Sequence, residues 1–230
     1  MLTNLPGYGI LRKKEGIHTK ISLTSAQLRL LALGLMLVDH TGRVLFPGQL
    51  WMVCLGRLAF PIFAFQAAEG YRHTRNFRRY CLRLAVFALI SEIPFDLMAF
   101  GELIYLSHQN VMFTLLLGLA ACRLYDRGFS LAALLTLPAA TLLCTDYGGL
   151  GVVTVLLFHV FRGQKLPQLL LLLLLNGCGY GFLSLQTFAV LAWVPICLYR
   201  GEKGRGGKAL QYGSYAFYPL HMLVLALIGR

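Results

Sequence analysis

The stretch Leu30–Gly70 reads LLALGLMLVDHTGRVLFPGQLWMVCLGRLAFPIFAFQAAEG. Two apolar runs flank a short polar turn. Asp39 and His40 sit at the far end of the first run, Arg57 interrupts the second, and Glu69 closes it. A charged group deep in an apolar run is expensive to keep there, which makes it a functional-site candidate.

The rest of the chain has the same character. Of its 230 residues 57% are hydrophobic and only 13% charged, whereas a soluble domain is about a quarter charged. This composition predicts an all-α fold: a polytopic transmembrane helix bundle in the cell membrane. Residues 1–23 read as a basic cytoplasmic N-terminal segment, with Arg12, Lys13, Lys14 and Lys20, and residues 24–230 as a single transmembrane domain. No small-residue cleavage site precedes the first apolar run, so that run is expected to be a retained helix. The net charge of +12 would suggest nucleic acid in a soluble protein. Here cytoplasmic loops facing anionic headgroups explain it better, so the expected partners are membrane lipids and not nucleic acid. The six cysteines (54, 81, 122, 144, 178, 197) are scattered through apolar runs without CxxC spacing, which predicts neither a disulfide framework nor a metal site.

Nine apolar runs follow one another, at 24–41, 50–70, 80–98, 110–124, 130–145, 149–161, 166–182, 184–199 and 212–228. Several are shorter than the ~20 residues of a straight span. Loop charge sets an orientation. Arginine and lysine crowd the N-terminal segment and the loops near 71–79, 123–129, 162–165 and 200–211, while the loops between hold few or none. About nine spans with the N-terminus in the cytoplasm fit this alternation.

That topology gathers polar groups at the outer leaflet. Asp39 and His40 end the first run, and Arg57 lies about two turns into the second. Glu92 and Asp96, in SEIPFD, end the third around Pro94, which is expected to kink the helix. His108 and Asn110 open the fourth, and Asp146 follows the fifth. A histidine beside a carboxylate can take a proton from an amine or hydroxyl. Asp39 and His40 are adjacent and point about 100° apart on a helix, so His40 is expected to pair with Asp96 or Glu92. His221, in the FYPLH of the last run, adds a histidine in mid-membrane, where packing and function are both open readings. At the inner side Arg72, Arg75, Arg78 and Arg79 cluster beside Glu69 and His73 and would suit a phosphate-bearing ligand, unless they serve only as orientation signals. His159 is read as structural.

The fragments LMLVDHTGRVLFP, GRLAFPIFAFQAAEGYRHTRN, ALISEIPFD, HQNVMFTLLLG and TDYGGLGV, in this order, resemble the TraX family of integral membrane proteins. The match covers roughly residues 24–162, and FYPLH resembles the family's last helix. The chain is also similar, more distantly, to the acyltransferase-3 and heparan-glucosaminide acetyltransferase group. The resemblance implies a membrane acyltransferase that moves an acetyl group from cytoplasmic acetyl-CoA to an acceptor near the outer face, a peptide N-terminus or a glycan. His40 would be base or acetyl carrier, supported by Asp39, Asp96, Glu92, His108, Asn110 and His221. Arg57, Glu69, Arg72, Arg75, Arg78 and Arg79 would serve acetyl-CoA. Two alternatives stand beside it: a small proton- or ion-coupled transporter, and a non-catalytic assembly factor for surface appendages.

Overall fold

The computed structural model describes residues 22–229, so the expected N-terminal segment lies almost wholly outside the described residues. Its elements are α1 (Ser25–Val44), α2 (Leu50–Gly56), α3 (Ala59–His73), α4 (Phe77–Ala99), α5 (Val111–Asp126), α6 (Ser130–Leu142), α7 (Gly148–Val160) and α8 (Lys165–Tyr180). A 3-10 helix (Leu185–Ala192) continues into α9 (Trp193–Cys197), and α10 (Gly207–Ile228) closes the chain. Among the described residues there is no strand, only two isolated bridges. The all-α class is therefore what the chain adopts.

The nine apolar runs correspond to nine helical segments once α2 with α3, and the 3-10 helix with α9, are each taken as one broken rod. That each rod crosses a membrane is a separate matter. One segment, Leu50–His73, combines 24 residues with sufficient apolarity. The helices α5 to α8 have 16, 13, 13 and 16 residues, short of a ~30 Å hydrocarbon core at ~1.5 Å rise per residue. Helices α1, α4 and α10 are long enough at 20, 23 and 22 residues, but α1 and α4 carry charge along their length. The outward faces of α4, α6, α8 and α10 expose Leu82, Leu89, Leu131, Leu135, Leu170, Leu174 and Leu227. Such an apolar coat is that of a membrane-associated protein.

Helix α3 is the axis of the bundle. Nine of its fifteen residues are buried, and it packs against α1, α5, α7, the 3-10 helix and α9. Its start is dictated locally. Pro61 has no N–H to give the carbonyl of residue 57, so the rod that begins at Leu50 breaks at Arg57–Leu58 and restarts at Ala59. The sequence reading runs through this break. By contrast, α4 continues through Pro94 to Ala99 without interruption. Two glycines set the approach of α2 to α1: a Cβ on Gly42 would stand 2.6 Å from the Met52 Cβ, and one on Gly56 would collide with the Asp39 side chain. The start of α1 is tied down. Its first N–H groups donate to the carbonyls of Glu202 and Lys203, at 2.8 and 3.1 Å, which satisfies donors a helix start leaves free.

Candidate functional site

One end of the bundle opens into a cavity of about 640 Å³. The last turns of α1 supply Asp39, His40 and Arg43, and the break between α2 and α3 supplies Arg57. His108 comes from the loop before α5, and Asp146 and Tyr147 from the turn before α7. Those two loops are laced together: Gln109 N–H donates to the Cys144 carbonyl and Asp146 N–H to the Gln109 carbonyl, both at 2.8 Å. Thr114 Oγ1 donates to the Asp146 carbonyl from α5. Tyr147 takes a left-handed φ of 63°, unusual for a residue with a bulky side chain, and its ring stacks on Phe60 with centroids 3.9 Å apart. Strained backbone of this kind collects at working sites.

The histidine at the end of α1 does not meet a carboxylate. His40 Nδ1 lies 2.8 Å from Nε2 of His221, which α10 brings in beside it. The expected pairing with Asp96 or Glu92 is corrected by this contact. His221 Nδ1 lies 2.8 Å from the Phe217 carbonyl, which can only accept, so Nδ1 carries the hydrogen. In the neutral pair His221 Nε2 must then accept, and His40 Nδ1 must donate. His40 Nε2 is left as the lone pair of a residue that lines the cavity.

The charges beside this pair balance one another incompletely. Arg43 Nε donates to Asp39 Oδ2 at 2.9 Å, one helical turn away. Arg57 Nη1 donates to Gln186 at 3.2 Å, while its Nη2 stands 3.8 Å from Asp39 Oδ1. Asp39 Oδ1 and Arg57 Nε are both buried and make no hydrogen bond among the described residues. Buried polar atoms without partners are costly, and they point to a site built for something else. Across the cavity His108 Nε2 lies 3.5 Å from Asp146 Oδ1. Donation from the His108 ring to the Asp146 carboxylate raises the His108 pKa above its ordinary value, against the opposing effect of burial.

Three other expected site residues, Glu92, Asp96 and Asn110, make hydrogen bonds that hold the loop before α5. Asp96 Oδ2 accepts from the Tyr105 N–H at 2.8 Å, and Glu92 Oε1 accepts from the Asn110 N–H at 2.9 Å and from its side-chain amide. Asn110 caps α5, accepting from Met112 N–H at 3.0 Å, and donates to the Ala88 carbonyl. Neither carboxylate nor Asn110 lines the cavity. At the opposite end of the bundle Glu69 pairs with Arg162 at 2.9 Å and with His73 at 3.5 Å. Arg72, Arg75, Arg78 and Arg79 belong to that end, far in chain topology from Arg57, so the residues grouped for one ligand divide between two ends. The sequence reading passed over Tyr147 and Gln186, and over Arg29 and Arg83, which line or flank a smaller cavity of about 110 Å³ and the Tyr80–Tyr215 rings. The rule that singled out Arg57, a cation inside an apolar run, would have found the last two.

Known proteins bear on this geometry. A family model described as TraX protein matches residues 24–229. A probable fimbrial assembly protein, FimC of serogroup H1 from Dichelobacter nodosus, is 30% identical, with 89% of this chain and 95% of that protein covered. No solved structure matches. The relative's name speaks of assembly, and this overturns the reading as an acetyl-CoA-dependent acetyltransferase; it gives no support to the transporter alternative either. The likeness to the acyltransferase-3 group rests on the sequence fragments alone. With the family model spanning all but the first residues and a relative matched along almost its whole length, the chain belongs to the TraX family.

Proposed function

We propose that this chain is a multi-pass protein of the cell membrane that serves fimbrial assembly, with the cavity around His40 as the place where a client subunit engages it. The observation that carries the proposal is the histidine pair at 2.8 Å in a cavity where Asp39 Oδ1 and Arg57 Nε lie buried without hydrogen bonds. An arginine and a carboxylate held apart offer complementary charge to a polar group of a client. The free lone pair on His40 can accept a proton from such a group and share it with His221. The reading places the cavity on the outer side, with nine crossings, residues 1–23 in the cytoplasm and residues 24–230 as one domain. It is supported by the alternation of basic loops and by the name of the relative from Dichelobacter nodosus.

The test replaces the chain in a fimbriated strain lacking its own copy, using wild type, His40→Ala and Asp39→Asn. Surface fimbriae are counted by electron microscopy, and the protein is followed by immunoblot of the membrane fraction. Both variants are expected to reach the membrane at normal levels and to leave few or no fimbriae. Full fimbriation by His40→Ala would remove the cavity from the function.

A further inference from the structure

A second concave site lies at the opposite end of the bundle, a cleft of about 370 Å³ lined by Arg75, Asn76, Phe77, Arg78, Arg123 and Arg127. The link between α3 and α4 and the first turn of α4 supply one wall; the end of α5 supplies the other. We propose that this cleft binds a phosphate group through its four guanidinium groups, a site separate from the cavity around His40.

The arrangement exceeds what membrane orientation requires. Cations that only mark the cytoplasmic side can point apart into water, where their repulsion is screened. Here four line one concavity that no aspartate or glutamate lines. The nearby carboxylate of Asp126 accepts from Tyr71 OH at 2.7 Å, lies 2.7 Å from His159 Nε2 and also acts on the charge of Arg123, whereas Arg75, Arg78 and Arg127 form no salt bridge among the described residues. Helix electrostatics accounts for half of the set. Arg123 and Arg127 sit at the negative end of α5, which favours cations. Arg78 sits at the positive end of α4, whose first turn holds no acidic residue, and there a cation is disfavoured without an anion to answer it. Preorganisation is also visible. Arg123 lies over the Phe77 ring, 5.5 Å from its centroid, which restrains one guanidinium of the lining. Asn76, which lines the cleft, accepts from the Arg79 N–H with its side-chain oxygen and keeps its amide nitrogen as a donor. Planar guanidinium forks match phosphate oxygens two at a time, whether the phosphate belongs to a lipid headgroup or to a soluble compound.

The two sources are separated by two titrations of the full chain in nanodiscs of zwitterionic lipid. One adds inorganic pyrophosphate; the other incorporates phosphatidylglycerol. Both read the thermal midpoint, and native mass spectrometry counts retained anionic lipid in the second. One arm or both should raise the midpoint of the wild type; a rise in one arm alone identifies the source, and a rise in both means that the cleft takes phosphate from either. Arg75→Gln with Arg123→Gln should weaken that binding about tenfold or more, while Arg205→Gln, on a loop outside the cleft, should leave it unchanged. If the double variant has a lowered midpoint before ligand is added, Arg78→Gln with Arg127→Gln takes its place. No binding in either arm, or equal weakening by Arg205→Gln, overturns the proposal.

Discussion

At the scale of single residues, the cavity is a set of charged side chains whose partners decide their chemistry. His108 gives a measurable case. Its hydrogen bond to Asp146 holds its folded pKa above the ordinary 6.5. A raised histidine pKa contributes stability that is complete below the unfolded value and is lost as pH rises through the folded one. The thermal midpoint of the protein in detergent should therefore fall from about pH 6 to about pH 8, and His108→Gln should flatten that part of the profile. The slope will be shallow, because both side chains are more than a third exposed and the pair is screened. An unchanged slope in the variant would assign the pH dependence elsewhere. Residue by residue, the site was legible as far as cost reveals it: Asp39, His40 and Arg57 stand out because charge in an apolar run needs a reason. The partner of His40 was not legible, since it lies 181 positions away on another helix and no periodicity links the two. Glu92 and Asp96 do not pair with His40 for a physical reason. The loop before α5 has backbone N–H groups to satisfy, and these carboxylates satisfy them at Asn110 and Tyr105.

At the scale of elements, the site depends on how closely α2 approaches α1. The break after Gly56 puts Arg57 opposite Asp39, and only a residue without a Cβ fits at position 56. Gly56→Ala forces the two helices apart or displaces the Asp39 side chain. The expected cost is ~1–3 kcal/mol, the range of an overpacked interior, with loss of the Asp39–Arg57 approach. Gly34, on α1, makes the contrast. A Cβ there meets nothing within 4 Å, so Gly34→Ala should be neutral or stabilise by ~0.5–1 kcal/mol through helix propensity. Comparing the two by denaturant unfolding in a fixed detergent separates close packing from propensity. Equal effects would mean that α1 and α2 do not approach as described. The helices themselves were readable from apolar runs, because every rod of the bundle is apolar over most of its length. The break inside 50–73 was not, because one arginine in a run that is apolar on both sides reads as a misplaced charge and not as a helix end. Its cause is one absent donor at Pro61, acting four residues back on Arg57.

At the scale of the whole molecule, the two ends of the bundle differ in kind: one holds the cavity with His40, the other the arginine cleft. Nine crossings with a cytoplasmic N-terminus would put the turn 143–148 outside and the loop 71–79 inside, since three helical rods, α4 to α6, separate them. Length alone does not decide this, because α6 has only 13 residues and needs a thinned bilayer or polar ends at the interface to cross. Cysteine labelling does. Cys144 is exposed in the turn before α7 and free, and Arg75→Cys provides a matching probe in the other loop. In a background where the remaining cysteines are replaced, a membrane-impermeant maleimide should label Cys144 in intact cells. It should label Arg75→Cys only after the membrane is permeabilised. The reverse pattern would invert the bundle and put the phosphate cleft outside. Labelling of both positions from one side would mean that an even number of rods crosses between them, with α6 the rod to reassign, because it is the shortest of the three.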